Sequence, residues 1–237
     1  MKINLLSVAV LLFICVVESV QPAGAQTTIQ ETRKLAEKGD VKAQFSLAVS
    51  YIRGDGVAEN KIEAMKWFRK AAERGDADAQ LNLGIAYDNG IGVTMNKVES
   101  VKWLRKAAEQ GNANAQFNLG TAYHNGVGVA ENKAEALKLF CKAAEQGDAD
   151  AMYFLGEIYR DGDGVAKNRA EATKWFAKEA EQRKNQEEFK KWFRKAAQGD
   201  ADAMHSLGKM YHDGVGVAKN KAEAEKWFAK EAEQRRK

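Results

Sequence analysis

Apolar residues recur every three or four positions along most of the chain, with polar residues between them. Ala79, Leu83 and Ala86, for example, fall on one face of a helix, and Asp76 stands where it can cap the first turn. The glycines that begin at Gly90 end this helix, because glycine readily adopts the left-handed conformation of a helix C-terminus. The pattern predicts a helix followed by a glycine-rich turn.

A second helix is predicted from Asn96 onward. The Asn96 side chain can cap exposed amides, and Glu99, three residues later, resembles the reciprocal half of a capping box. Trp103 and Leu104 give this helix its packing face, and Gly111 ends it. The same cap pair recurs as Asn60/Glu63, Asn132/Glu135, Asn168/Glu171 and Asn220/Glu223. The chain is therefore expected to consist of pairs of helices.

The helix pairs repeat with a fixed period. A glycine followed by Asp or Asn opens each of five copies; four lie 36 residues apart, and the fifth follows after 52: Gly39-Asp40, Gly75-Asp76, Gly111-Asn112, Gly147-Asp148 and Gly199-Asp200. Such a period indicates an all-α solenoid, since one unit cannot bury its apolar face alone and must stack on its neighbours. Solenoids of helix pairs usually serve as binding surfaces.

The array is irregular at its ends and at one point inside. We divide the chain into a signal peptide (1–25), an N-terminal capping helix (27–38), four repeats (39–182), a truncated repeat or long helix (183–198), and a fifth repeat with a basic tail (199–237). The truncated segment repeats only a second helix. We expect either one helix from about residue 169 to 198 or a break near Asn185, with a bend of the array there.

The two copies that flank this segment are unusually alike. Residues 148–183 and 200–235 are identical at 28 of 36 positions, and both place a glutamate, Glu179 and Glu231, where earlier copies have a packing alanine. A charged side chain suits a helix that faces solvent. The fourth copy therefore resembles a terminal cap that was duplicated and left inside the array.

The first 25 residues have the pattern of a cleaved secretory signal. Lys2 gives a positive start, Leu5 to Val17 are apolar, and Ala23-Gly24-Ala25 offers a small-x-small cleavage site before Gln26. The apolar run is too short to span a bilayer comfortably, so we predict no transmembrane segment in the mature chain. The expected destination is the periplasm or the outside of the cell.

Composition excludes several classes of function. Charged residues make up 30% of the chain but nearly balance, at a formal net charge of +4, which argues against a nucleic-acid binder with a concentrated basic patch. Export leaves Cys141 as the one cysteine, so no intramolecular disulfide is possible, and the thiol is interpreted as a small core residue. The recurring tryptophans are interpreted as core packing rather than ligand stacking.

No catalytic, cofactor or metal site is predicted. Gly126-Val127-Gly128 recurs as a turn in every copy and has no Gly-Lys-Ser/Thr element after it, so it is not a phosphate loop. His205 and His212 lie seven residues apart with no third ligand near them, which argues against zinc. No Ser-His-Asp, Cys-His or paired-carboxylate arrangement stands out.

The positions that vary between copies define a candidate protein-binding stripe. On a helical wheel of the first helix, positions equivalent to 81, 85 and 88 lie opposite the packing face. The stripe starts apolar and ends polar and basic: Phe45, Val49, Ile52, Leu81, Ile85, Asp88, Phe117, Thr121, His124, Tyr153, Glu157, Arg160, His205, Lys209 and His212. It could read a peptide along a concave face. The alternative is that Phe45, Phe117 and Tyr153 pack between adjacent first helices.

The repeated motif resembles that of the Sel1-like repeat family, which is related to the tetratricopeptide repeats. The matching signatures run from Ala115 to Tyr123, through the Gly-x-Gly-Val turn, and from Glu63 to Ala72. The resemblance covers almost all of residues 27 to 237. It implies a right-handed superhelical solenoid of antiparallel helix pairs that acts as a scaffold for protein complexes, frequently in bacterial envelopes or in host contact.

We therefore expect an exported, non-enzymatic scaffold that binds a protein or peptide partner. The alternative comes from a cysteine-rich, exported branch of the same family, which is linked to β-lactam binding or hydrolysis. Each repeat of that branch carries a disulfide pair, which this chain lacks. A host-directed secreted factor, chemically also a binder, is the other alternative.

Overall fold

The structure is a computed structural model that describes residues 29 to 236. The predicted signal peptide lies outside the described residues. The described part contains eleven α-helices and no strand. The helices are α1 (Ile29–Glu37), α2 (Val41–Arg53), α3 (Lys61–Glu73), α4 (Ala77–Asn89), α5 (Lys97–Glu109), α6 (Ala113–Asn125), α7 (Lys133–Glu145), α8 (Ala149–Asp161), α9 (Arg169–Ala197), α10 (Ala201–Asp213) and α11 (Lys221–Gln234).

The predicted N-caps are confirmed. Asp76 accepts a hydrogen bond from the Ala79 N–H at the start of α4, and Asn96 accepts one from the Glu99 N–H at the start of α5. The same bonds form at the start of every other first and second helix from α2 to α11. Each cap satisfies one amide that has no partner within the helix.

The prediction that Glu99 completes a capping box with Asn96 is wrong. The Asn96 N–H donates to the Tyr87 carbonyl, 2.8 Å away, and so does not need the glutamate. Glu99 instead pairs with Lys102, one turn further along α5, at 3.0 Å. The Tyr87 carbonyl, on α4, thus satisfies the amide for which a capping-box glutamate would compete.

Small residues let the first helix of a repeat approach the second closely. A methyl group added at Gly84 on α4 would lie 2.8 Å from Leu104 Cγ on α5, and one at Gly156 on α8 would lie 2.5 Å from the Phe176 ring on α9. Real side-chain atoms do not come that close, so these positions favour glycine.

Buried glutamines join the second helix of one repeat to the first helix of the next. Gln80 Nε2 donates to the Ala72 carbonyl at 2.9 Å, and it is only 4% exposed. Gln44 and Gln116 make the same bond one repeat earlier and one repeat later, to Ala36 and Ala108. Each of these carbonyls also accepts the N–H of the glycine three residues later, so the glutamine adds a second hydrogen bond at the end of the helix.

The helices form two compact units, one up to Glu131 and one from Asn132 onward. In the first unit the core includes Trp67 and Phe68, and Trp103 is 6% exposed. In the second unit Trp227 is buried with Tyr211, whereas Trp175 is half-buried. Trp67, Trp103 and Trp227 are therefore core residues, whereas Trp175 is only partly covered.

Helix α9 runs for 29 residues without a break, so the first of the two alternatives for this segment is the one observed. Residues 169 to 181 follow the pattern of a second helix, and the helix then continues directly through residue 197. The first helix and the turn that would separate two second helices are absent from the sequence. The expected bend at this point stays a prediction.

Candidate protein-binding surface

The stripe residues lie on the first helices α2, α4, α6, α8 and α10 and are divided between the two compact units. In the first unit, Leu81 is 1% exposed and His124 is 8% exposed, so neither reaches a partner from this surface. Phe45 packs edge-on against Phe68 of α3 with 5.4 Å between ring centroids. It therefore contacts the second helix of its own repeat.

The other stripe residues of the first unit are half-buried. Val49 and Ile52 pack beside Phe45 against the apolar core. Asp88 forms a salt bridge of 3.0 Å with Lys97, the first residue of α5. The Thr121 hydroxyl donates to the Phe117 carbonyl within α6. Ile85 is partly exposed on α4. Most of the apolar part of the stripe thus contributes to packing.

In the second unit the stripe reaches solvent. Tyr153 is 44% exposed, although its ring contacts Phe154 and Phe176 at 6.3 Å and 5.8 Å between centroids. Arg160, two turns after Tyr153 on α8, donates to Glu157 at 2.7 Å, and this contact orients both side chains. An exposed aromatic ring held by neighbouring rings and flanked by oriented charges resembles a protein-binding hot spot.

The basic end of the stripe lies on α10. His205 Nδ1 is 2.8 Å from Glu231 Oε2 of α11, and Glu231 also accepts a hydrogen bond from Arg235. The hydrogen bonds that His205 and Arg235 make with it lower the pKa of the Glu231 carboxyl. Lys209 and His212 are exposed, and His212 contacts Asp213. The histidines are thus engaged by carboxylates on or beside their own helix pair.

Cys141 does not lie in the core, which corrects the sequence-based interpretation. It is half-buried on α7 and occupies the position of Arg33, Arg69 and Arg105. Each of those arginines bonds the hydroxyl of a tyrosine on the following first helix. Burial raises the pKa of the Cys141 thiol, with Glu145 contributing, so the thiol is protonated at neutral pH.

Among the described residues no group of three His, Cys, Asp or Glu side chains could hold a metal ion. No helix in the same range is long and apolar enough to cross a membrane.

Stacked helix pairs with repeated caps and glycine contacts define the chain as an α-helical repeat protein. The Sel1 repeat model matches residues 41–76, 77–112, 113–148, 149–184, 183–200 and 201–235. The chain belongs to the Sel1 repeat family. Proteins of this family are typically scaffolds for protein–protein interaction and are generally not catalytic.

Two solved structures illustrate the similarity. One is a protective antigen of uropathogenic Escherichia coli with 34% identity and a TM-score of 0.63, over 87% of this chain and 48% of that chain. The other is a Sel1 repeat protein from Oxalobacter formigenes with 33% identity and a TM-score of 0.61, over 87% and 77% of the two chains. This chain thus spans about half the length of the antigen. No curated protein sequence matched it.

Proposed function

We propose that this chain is an exported scaffold that binds a protein or peptide partner through the stripe on its first helices. The membership of the Sel1 repeat family supports the binding role. The one observation that carries the choice of surface is Tyr153, an aromatic side chain that is 44% exposed on a rigid helix. Tyrosine buries a large area on binding at a low entropic cost, because only two side-chain torsions are fixed.

The surroundings of Tyr153 suit a polar rim. Glu157 and Arg160 follow it along the same face of α8, at intervals of four and three residues, and pair with one another. A partner that covers the ring would also exclude water from part of this ion pair. We propose that α8 carries the central contact and that the charged residues on α10 contribute to selectivity.

The test is a pull-down from a cell-envelope extract with the purified protein and two variants. Tyr153→Asp places a charge at the proposed contact. Val98→Asp is the matched control, because Val98 is 54% exposed on the second helix α5 and lies outside the stripe. Circular dichroism first establishes that both variants fold.

We expect the native protein and the Val98→Asp variant to capture the same partner, and the Tyr153→Asp variant to lose it. Loss of a ring that anchors the contact should weaken binding by at least tenfold. Equal capture by all three proteins would remove the stripe on α8 from consideration.

The proposed export has its own test. The motif at Ala23-Gly24-Ala25 supports cleavage before Gln26. N-terminal sequencing of the protein from the periplasmic fraction and from the culture medium should therefore begin at Gln26. A chain that starts at Met1 and remains in the cytoplasmic fraction would refute export.

A further inference from the structure

The second helices pack on the first helix of their own repeat through three regularly spaced positions. In α3 these positions are Ala64, Phe68 and Ala71, and each is 0% exposed. The equivalent residues in α5 and α7 are also buried: Ser100, Leu104, Ala107, Ala136, Phe140 and Ala143. The three positions therefore mark where a first helix lies against a second helix.

The second half of α9 has the same register but no such first helix. The carbonyl oxygen of Asn185 lies against Gly216, as the carbonyl oxygen of Lys61 lies against Gly92 in an earlier repeat. This contact aligns residue 185 with residue 61. The three packing positions then fall on Glu188, Trp192 and Lys195, of which the first and last are exposed and Trp192 is half-buried.

The opposite side of this half-helix is firmly packed. Phe189 meets Tyr211 of α10 edge-on at 5.4 Å, and Phe193 meets Trp227 of α11 at 5.9 Å. Ala196 is 3% exposed in the same cluster. The uncovered side is thus presented on a helix that α10 and α11 hold in place.

The uncovered side is basic around one aromatic ring. Lys184, Lys191 and Lys195 follow at intervals of seven and four residues and share one face of α9. The ammonium groups of Lys191 and Lys195 lie 5.8 Å and 5.2 Å from the Trp192 ring centroid. Within the described residues none of these lysines forms a salt bridge. We name this surface the α9 basic face: Lys184, Glu188, Lys191, Trp192 and Lys195.

We propose that the α9 basic face binds an acidic amphipathic helix of a partner protein, which lies where the missing first helix would lie. The geometry favours a helix, because α3, α5 and α11 each have a first helix against these positions. The charge favours acidic side chains opposite the three lysines, with apolar side chains over Trp192. This surface is separate from the stripe on the first helices, so the two proposals stand or fall independently.

The test measures binding of three labelled synthetic peptides to the purified protein by fluorescence anisotropy, at low salt and at about 150 mM salt. The first peptide is an 18-residue helix with leucines on one face and glutamates on both sides of it. The second has the same composition in scrambled order, without an amphipathic face. The third has lysine in place of each glutamate.

The variant K184Q/K191Q/K195Q removes three charges from the proposed surface. Its matched control, K66Q/K102Q/K138Q, removes three lysines that are 63%, 63% and 70% exposed on α3, α5 and α7. We expect the first variant to bind the acidic helix about tenfold more weakly, as three exposed charge contacts would imply. The control should change binding by less than about twofold. Trp192→Ala should weaken binding by about tenfold at unchanged charge.

The proposal is overturned if the native protein does not bind the acidic helix, or if the scrambled peptide binds as well. Equal losses in the two lysine variants would show that net charge alone is responsible, with the same consequence. Preferential binding of anionic lipid vesicles or of single-stranded nucleic acid would assign the face to another class of partner and would also overturn it.

Discussion

At the scale of single residues, Asp148 shows how one cap can carry a pH-dependent cost. It caps α8 by accepting the Ala151 N–H at 2.8 Å. Burial, with a contribution from Asp150, raises the pKa of its carboxyl from 3.8 to about 6, although the bond to Ala151 and the charge of Arg183 oppose the shift. Asn112 occupies the equivalent position one repeat earlier and caps α6 with a neutral amide.

The raised pKa means that the folded state binds a proton more tightly than the unfolded state does. The stabilising contribution is fully present below pH 3.8 and is lost as the pH rises through about 6. We expect Asp148→Asn to keep the cap. At pH 7 its free energy of unfolding should be about 1–2 kcal/mol higher than that of the native protein. Urea unfolding at several pH values checks this.

Asp148→Ala separates the cap from the charge. It also removes the ionisation, but it loses the bond to Ala151, which costs about 1 kcal/mol at a helix N-terminus. The alanine variant should therefore be less stable than the asparagine variant at every pH. If the stabilities of the native protein and of the Asn variant change in the same way between pH 4 and 6, Asp148 does not titrate as described.

Gly128 is required both by its backbone conformation and by a neighbour. It has a φ of +72°, and a Cβ atom there would lie 2.2 Å from the Lys97 carbonyl oxygen. Gly111 has a φ of +88° and nothing within 4 Å of a Cβ atom. We expect Gly111→Ala to cost about 1 kcal/mol for the conformation alone. Gly128→Ala should cost about 2 kcal/mol more, because backbone must move.

Chemical denaturation of the two glycine variants measures this difference. Because both positions have a positive φ, the free energy of unfolding of one variant minus that of the other isolates the contact with Lys97. Equal losses would mean that the turn moves away from the helix at little cost. The turn would then not fix the stacking of one repeat on the next.

At the scale of elements, most helices follow directly from the sequence, and α9 shows where the sequence is insufficient. Asp, Asn and Gly residues at fixed positions mark the ends of the regular helices, and the structure has the ends there. Between Arg183 and Gln186 the chain has an asparagine, Asn185, but no Gly or Pro. Asn185 fits a cap as well as a helix interior. Packing of Phe189 and Phe193 against α10 and α11 accompanies the continuous helix.

The continuity of α9 is open to a direct test at Lys184. Lys184→Pro removes one backbone hydrogen bond and introduces a clash with the preceding turn, which costs about 3 kcal/mol in a helix interior. We expect hydrogen exchange to accelerate in residues 180 to 186 and the α10–α11 pair to lose protection. Lys184→Ala removes the same exposed side chain and should change stability by less than about 0.5 kcal/mol. Similar exchange in both variants would contradict a mechanically continuous helix.

At the scale of the molecule, the period of 36 residues was sufficient to predict a helical repeat array. The candidate surface was harder to predict. A helical wheel separates the face that packs on the second helices from its opposite, but it does not show which positions neighbouring first helices cover. Leu81 and His124 are buried, whereas Tyr153 remains exposed. The α9 basic face does not stand out in the sequence, because its residues follow the pattern of a second helix.

The resemblance of the fourth repeat to a terminal cap has a structural counterpart. Thr173 and Ala180 occupy positions on α9 that a following first helix would cover, and both are exposed. The equivalent Met65 on α3 is 2% exposed. Arg183 bonds Asp150 of α8, as Arg235 beside α11 bonds Asp202 of α10. The first half of α9 therefore has the exposed outer face that a terminal cap would have.

A chain that ends at Arg183 should consequently remain folded and monomeric, because its last helix already faces solvent and retains the bond to Asp150. The matched control ends at Gly147, one repeat earlier, and bares a face of α7 that includes Ala144, which is 3% exposed in the whole structure. Since this face lacks the exposed polar and small residues found on α9, we expect the shorter chain to aggregate. Size-exclusion chromatography and thermal unfolding by circular dichroism compare the two. Aggregation of both chains would mean that exposed polar and small residues on α9 are not enough to end the array, and that α10 and α11 are needed for its stability.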